Sequence, residues 1–177
     1  MKFTNSLIKG KLLKRYKRFF ADIKVNSKII TAHCPNTGSM QGLLDEGNEV
    51  LLTEHNDPKR KLKFTLEIIK AQKRYVGVNT HRANKIVNHG LENKLISEFK
   101  NFKNIKPEFK FSDDTRFDFL CDNYLIEVKN VTLFREDDIA EFPDAITSRG
   151  TKHLKMLIKS INKGFKPYVL FLTQIQN

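Results

Sequence analysis

The hydrophobic period of this 177-residue chain changes near residue 79, and this change constrains the fold more than any other feature. Before it, apolar and polar residues alternate in short segments separated by turn residues, which is typical of half-buried β-strands. The turns are marked by Pro35-Asn36-Thr37-Gly38 and Asn56-Asp57-Pro58. Strands are predicted over 19–26, 28–34, 49–54, 62–68 and 75–78. Five short strands predict a small β-barrel, of the oligonucleotide-binding (OB) type or SH3-like.

The second half mixes helices with strands. A helix is predicted from Asn79 or Thr80 to about residue 99, since either side chain can cap a helix N-terminus. Pro143-Asp144 opens a second helix, which Gly164 closes. The inner stripe of this second helix is predicted to be Leu154, Leu157, Ile158 and Ile161. Strands are predicted over 108–111, 116–121, 124–131 and 168–172.

The order αβββαβ after a barrel predicts an α+β fold. Its domains are expected at 1–78, the barrel, and 79–177, the mixed domain. No apolar run reaches the ~20 residues of a membrane helix, so we expect no membrane partner. Cys34 and Cys121 are too few for a disulfide framework, and we expect both to be small core residues in a reducing cytoplasm.

Positive charge is concentrated in the first half. The chain has 32 Lys and Arg against 20 Asp and Glu, and residues 1–77 hold 16 of these cations with seven acids. Such a field attracts polyanions, and nucleic acid is the leading candidate because each neutralised phosphate releases counterions. A solubility charge is the alternative, but it does not explain why the cations surround aromatic residues. Nucleic acid is expected to contact Arg15, Lys17, Arg18 and Phe19.

A predicted hairpin carries the candidate chemistry. Asp122-Asn123 suits a two-residue turn, and that register places Asp118 opposite Glu127. The period of two puts Asp118, Glu127 and Lys129 on one face. The other, largely apolar face is expected to hold Phe117, Phe119, Tyr124, Ile126 and Val128. Because opposed carboxylates repel, we expect them to bind Mg²⁺ or Mn²⁺. An exposed, salt-bridged hairpin without chemistry is the alternative.

Asp118 followed by Glu127-Val128-Lys129, in the order αβββαβ, resembles the core of the PD-(D/E)xK nuclease superfamily. This resemblance implies that Asp118 and Glu127 bind metal and that Lys129 contacts the scissile phosphate or the attacking water. Glu108, on the preceding strand, is a candidate third ligand, with Glu92 and Glu98 as weaker ones.

The second helix offers a candidate phosphate contact. Arg149 and His153 are four residues apart and share a helix face, where a guanidinium can clamp a phosphate. An ordinary exposed helix edge is the alternative.

Motifs along nearly the whole chain resemble the sugar fermentation stimulation protein (SfsA) family. They are Arg15-Tyr16-Lys17-Arg18-Phe19-Phe20-Ala21-Asp22, Cys34-Pro35-Asn36-Thr37-Gly38-Ser39-Met40, Val78-Asn79-Thr80, Arg116-Phe117-Asp118-Phe119, Ile126-Glu127-Val128-Lys129, Val131-Thr132-Leu133, Phe142-Pro143-Asp144-Ala145, Thr147, and Arg149-Gly150 through His153-Leu154. We also assign Asn36 of the second motif to nucleic-acid contact.

The resemblance implies an OB-like domain, a nuclease-like domain and DNA binding without marked sequence preference. It also implies a further helical and strand segment after the last strand. Because this sequence stops at Asn177, a fragment and a naturally short form both remain open. Three functions remain open: a metal-dependent nuclease, a non-catalytic DNA-binding regulator of sugar (maltose) metabolism, and an enzyme acting on a small phosphorylated substrate. The charge of the barrel exceeds what a small ligand needs and disfavours the third. The sequence does not determine the oligomeric state.

Overall fold

The computed structural model describes residue 3 and residues 6–135, 139–145 and 147–176. The chain forms two compact units. The first comprises residues 1–81, 131–145 and 173–177, and the second comprises residues 82–130 and 146–172. Across the described ranges, every helix is too short or too polar to cross a membrane.

Five strands of the first unit close into a barrel. They are β1 (Ile8–Tyr16), β2 (Phe20–Val25), β3 (Lys28–His33), β4 (Glu49–Glu54) and β5 (Phe64–Ala71). The ring runs β1-β2-β3-β5-β4 and returns to β1, with β3 and β5 parallel and the other pairs antiparallel. This closed five-stranded ring confirms the predicted OB-like barrel.

The first barrel strand, β1, lies ahead of the five strands that the sequence predicted. Its register shifts between Leu12 and Lys14, which breaks the alternation that would reveal a strand. The predicted strand at 75–78 exists as β6 (Arg74–Gly77), but it extends the sheet outside the ring. There it pairs with β5 on one side and with the short β13 (Ile175–Gln176) on the other.

The barrel core is filled by the apolar side chains of alternate strand positions. Its fully buried members include Leu12, Ile23, Val50, Leu52, Leu66 and Ile69. Cys34 belongs to the same core and is a free thiol, as predicted. Phe134 of the short strand β10 (Leu133–Phe134) packs into it, and β10 pairs with β11 (Ala140–Glu141).

The second unit has the predicted order αβββαβ. Its elements are α1 (Thr80–Glu92), β7 (Ile105–Ser112), β8 (Thr115–Cys121), β9 (Tyr124–Val131), α2 (Ser148–Ile161) and β12 (Lys166–Thr173). The strands form one sheet in the order β12-β9-β8-β7. Ala83, Val87 and Leu91 of α1 pack with one set of strand residues, and Leu157 of α2 packs with another. The two helices therefore cover opposite faces of the sheet.

Both helices are shorter than predicted. α1 ends at Glu92 because Lys94 takes a left-handed φ of 56°, and the N–H groups of Lys94 and Leu95 bond to the carbonyls of Leu91 and Gly90. A separate 3₁₀ turn covers Ser97–Phe99. α2 begins at Ser148, where Thr147 Oγ1 accepts from Gly150 N, and not at Pro143-Asp144.

The inner stripe predicted for α2 was largely wrong. Leu157 is buried, but Leu154, Ile158 and Ile161 are 47%, 66% and 55% exposed. Ser160 is fully buried beside Leu157 and donates to its carbonyl oxygen. The helix therefore turns a partly polar face to the sheet and leaves its apolar row outside.

Candidate functional site

The β8–β9 hairpin has the predicted turn and register at its closed end. Phe119 pairs with Ile126, Leu120 with Leu125 and Cys121 with Tyr124. The ladder of paired residues ends at Phe119 and Ile126, so it does not include the predicted pair of Asp118 and Glu127. The strands therefore open where the candidate catalytic residues begin.

Asp118 lies in this opening. Its Oδ2 accepts from Val128 N at 2.6 Å, and its Oδ1 accepts from Asn84 Nδ2 of α1 at 2.6 Å. Burial raises the pKa of this carboxyl group, and the nearby charge of Glu127 raises it further. The two acids are therefore within electrostatic reach of each other, as predicted, although they do not form a ladder pair.

The prediction that Asp118 shares a face with Glu127 and Lys129 was wrong. The prediction that Phe117 lies on the same face as Phe119 was also wrong. Phe119 packs on the α1 side, whereas Phe117 packs with Leu157 of α2, so the alternation of β8 slips at Asp118. Glu127 and Lys129 do share a face, which is the α2 side. The two carboxylates therefore take partners from different helices.

Glu127 is almost fully buried, with 4% of its surface exposed. Its Oε1 accepts from Lys129 Nζ at 2.6 Å and from His153 Nδ1 of α2 at 2.6 Å. His153 Nδ1 is the donor here because an ionised carboxylate only accepts. Glu127 Oε2 is buried and has no hydrogen-bond partner. A buried carboxylate oxygen without a donor is costly, and a cation at this position would satisfy it.

Glu108 faces Asp118 across the β7–β8 pair. Its neighbours Pro107 and Phe109 pair with Phe119 and Phe117, and Glu108 itself has a left-handed φ of 53°. Glu108 and Asp118 line one cavity of about 370 Å³ together with His89 and Glu92 of α1. Glu98, the other weak candidate, hydrogen-bonds Ser97 in the 3₁₀ turn, outside this cavity. Among the residues that the structure describes, no three His, Cys, Asp or Glu side chains are already gathered closely enough to hold a metal.

Arg149 and His153 lie in the first half of α2, as predicted. Both line a cleft of about 530 Å³ between the helix and the β7–β8 turn. His153 reaches Glu127 through one ring nitrogen, which links this cleft to the buried carboxylate. Asp144, which the sequence placed on the same helix, instead accepts from Ser39 Oγ and Met40 N in the first unit.

Several predicted nucleic-acid contacts on the barrel have structural partners. Arg15 donates to the carbonyl oxygens of Arg18 and Asn36, and Arg18 donates to that of Thr37. Asn36 is buried, and its Oδ1 accepts from Gly38 N. These residues hold the loop that follows β3. Lys17 and Phe19 project from the β1–β2 turn, and Phe19 is 46% exposed.

The same end of the barrel carries a basic loop that the sequence analysis missed. Strand pairing brings Phe20 beside His33 and His33 beside Thr65, so the β1–β2 turn and the 55–63 loop lie at one end. This loop holds Lys59, Arg60, Lys61 and Lys63 against one acid, Asp57. The run of cations between two strand patterns was the available signal. We call this surface, made of residues 17–19 and 55–63, the basic end.

His33 lies beneath the basic end. Burial lowers the pKa of its imidazole, and the charges of Arg60 and His81 lower it further. Burial and these neighbouring groups therefore both disfavour a positive charge on this imidazole.

The fold and the site define a class: an OB barrel joined to a nuclease-like αβββαβ unit with paired acids beside a lysine. Family models agree with both parts. The SfsA N-terminal OB domain matches residues 13–78, and the sugar fermentation stimulation protein RE domain matches residues 81–177. The chain belongs to the sugar fermentation stimulation protein family.

Individual relatives support this assignment. The sugar fermentation stimulation protein homologue of Pelagibacter ubique is 63% identical over 180 residues, covering 99% of this chain and 78% of that protein. The homologue of Alteromonas mediterranea is 43% identical over 186 residues, covering 98% and 78%. The solved structure of Pyrococcus furiosus SfsA in complex with Ca²⁺ has a TM-score of 0.86 at 24% identity, covering 98% of this chain and 75% of that one.

Proposed function

We propose that this chain binds DNA largely without sequence preference and hydrolyses phosphodiester bonds at a Mg²⁺- or Mn²⁺-dependent site. The observation that carries the proposal is Glu127 Oε2, a buried carboxylate oxygen without a donor, within electrostatic reach of Asp118. The PD-(D/E)xK resemblance of the sequence supports the same proposal, although Asp118 takes its partners from the α1 side and Glu127 from the α2 side.

The donor set fits a hard divalent cation. Asp118 and Glu127 offer carboxylate oxygens, and Glu108 faces Asp118 from the neighbouring strand. The solved structure of Pyrococcus furiosus SfsA in complex with Ca²⁺, which has the same fold, supports the choice of a divalent ion. Such an ion, when bound, would polarise a phosphoryl oxygen and lower the pKa of a bound water.

The protein's own groups have separate tasks in this proposal. Lys129 neutralises Glu127 and, with 18% of its side chain exposed, can also donate to a substrate phosphate or water. His153 fixes the orientation of Glu127 through its Nδ1–H. Asn84 and Val128 N hold the carboxylate of Asp118 in place.

DNA binding is assigned to the basic end of the barrel. Its cations come from two loops that lie at one end, and the exposed ring of Phe19 can stack on a base. Arg15, Arg18 and Asn36 contribute by holding the neighbouring loop.

A second function is favoured by a different observation. Both oxygens of Asp118 already accept hydrogen bonds, and no three-ligand metal cluster is preformed in the described ranges. A DNA-binding regulator without turnover, on the same nuclease-like scaffold, would have such a site.

A cleavage assay separates the two functions. Wild type and Glu127→Gln are compared on single- and double-stranded DNA and RNA with Mg²⁺ or Mn²⁺, and Mn²⁺ binding is measured for Asp118→Asn. We expect cleavage only by wild type and weaker Mn²⁺ binding by Asp118→Asn, with DNA affinity retained by both variants. Equal activity of wild type and Glu127→Gln would refute the site, and no cleavage of any substrate would favour the regulator.

A further inference from the structure

The 530 Å³ cleft beside α2 is lined by four cationic side chains, and Glu127 does not line it. We call it the arginine cleft. Its lining comes from the β7–β8 turn, the start of β8 and the first turns of α2. The residues that matter here are Lys110, Asp113, Asp114, Arg116, Arg149 and Lys152.

Two of its four cations are already neutralised. Lys110 Nζ lies 2.7 Å from Asp113 Oδ1, and Lys152 Nζ lies 2.7 Å from Asp114 Oδ2. The first pair lies within the β7–β8 hairpin, and the second joins the turn to α2. Subtracting the two acids from the four cations leaves a net charge of +2.

The remaining charge comes from two guanidinium groups. Within the described residues, neither the guanidinium group of Arg116 nor that of Arg149 has a hydrogen-bond or ion-pair partner. Each guanidinium can bind an oxyanion through two parallel N–H donors. Arg149 also lies in the first turn of the 14-residue helix α2, where the helix dipole favours an anion.

This donor set suits a phosphomonoester better than a backbone phosphodiester. A terminal phosphate carries nearly two negative charges and three free oxygens, which matches two bidentate guanidiniums and a +2 surplus. A diester has one charge and two free oxygens, which a single arginine satisfies. We propose that the arginine cleft binds the phosphorylated end of a nucleic acid strand. This inference rests on the proposed DNA binding and adds a preference for phosphorylated ends.

The cleft is joined to the proposed catalytic acid by His153. This residue lines the cleft and donates to Glu127 Oε1. A strand end held in the cleft would therefore lie one side chain away from Glu127.

Binding in EDTA tests the inference without any turnover. One duplex is prepared with 5′-phosphate, 3′-phosphate or hydroxyl ends, and its affinity is measured by fluorescence anisotropy. We expect wild type to bind one phosphorylated form about tenfold more tightly than the hydroxyl form, a typical effect of a charge-assisted contact. Arg149→Ala and Arg116→Ala should each remove most of this preference.

Two further variants serve as controls. Arg149→Lys keeps the charge but loses the planar fork, so it should also lose most of the preference. Lys155→Ala removes an exposed cation of the same helix outside the cleft. This variant should retain the preference for the phosphorylated duplex.

Equal affinity of wild type for all three duplexes would overturn the inference and leave the proposed DNA binding intact. The inference would also be overturned if Lys155→Ala and Arg149→Ala lost the preference for the phosphorylated duplex to the same extent. Competition by an equal concentration of a nucleoside 5′-monophosphate would reassign the cleft to free nucleotides. Failure of wild type to bind any duplex would refute the proposed function itself, and the inference with it.

Discussion

Replacing Lys129 with methionine should destabilise the second unit strongly. In the native protein, Lys129 Nζ lies 2.6 Å from Glu127 Oε1, and the two side chains are 18% and 6% exposed. Without this ammonium, Glu127 keeps His153 as its donor but remains a buried charge with one unpartnered oxygen. Breaking a buried ion pair costs about 3–5 kcal/mol. We expect the low end, about 3 kcal/mol, because His153 remains.

Thermal unfolding followed by circular dichroism in EDTA measures this loss. For a chain of this size, about 3 kcal/mol corresponds to a fall in Tm of roughly 6–12 °C. Lys155→Met, which removes an exposed lysine of α2, should change stability by less than about 0.5 kcal/mol.

A double variant tests the reasoning. Glu127→Gln removes the buried charge, so adding it to Lys129→Met should recover about 2 kcal/mol of the loss, a coupling typical of contacting residues. If the two single losses instead add within about 0.5 kcal/mol, Lys129 does not act by compensating Glu127, and the electrostatic account of the site is wrong.

Two other predictions concern the barrel. Lys59→Ala combined with Lys61→Ala should weaken DNA binding equally for all sequences and reduce the slope of log K against log salt by about 1 for each lost phosphate contact. Lys28→Ala, at the opposite end, should leave the slope unchanged. Folding lowers the pKa of His33, so below pH 6.5 the unfolded chain binds more protons than the folded chain. The contribution of His33 to the free energy of unfolding is therefore full above pH 6.5 and falls as the pH drops towards the folded pKa. His33→Gln should flatten the dependence of Tm on pH between about 7.5 and 5.5, and an unchanged slope would contradict the assignment.

The hairpin could be predicted from the sequence because its turn and register depend on local contacts. Asp122-Asn123 fixed the pairs from Phe119 to Cys121. The position of Asp118 could not be predicted in this way. It depends on a slip in the alternation and on an amide of α1 that lies 34 residues away along the chain.

The orientation of α2 could not be predicted from hydrophobic periodicity, because it too depends on contacts with residues distant in the sequence. Leu154, Leu157, Ile158 and Ile161 form one apolar row along the helix, so the pattern alone selects a face that the structure leaves mostly exposed. The choice follows polar contacts with the sheet and its turn, His153 to Glu127 and Lys152 to Asp114. β1 was missed because a bulge interrupts its pattern.

The chain returns twice to the first unit after leaving it. Phe134 enters the barrel core, and Ile175 pairs with Val76 at the edge of the barrel sheet. The second unit is thus inserted into the sequence of the first in two pieces, residues 82–130 and 146–172. A truncated barrel ending near residue 78 would lose part of its own interior and uncover the β6 edge, so domain dissection is better attempted by excising residues 82–130 and 146–172 and bridging the gaps with short linkers.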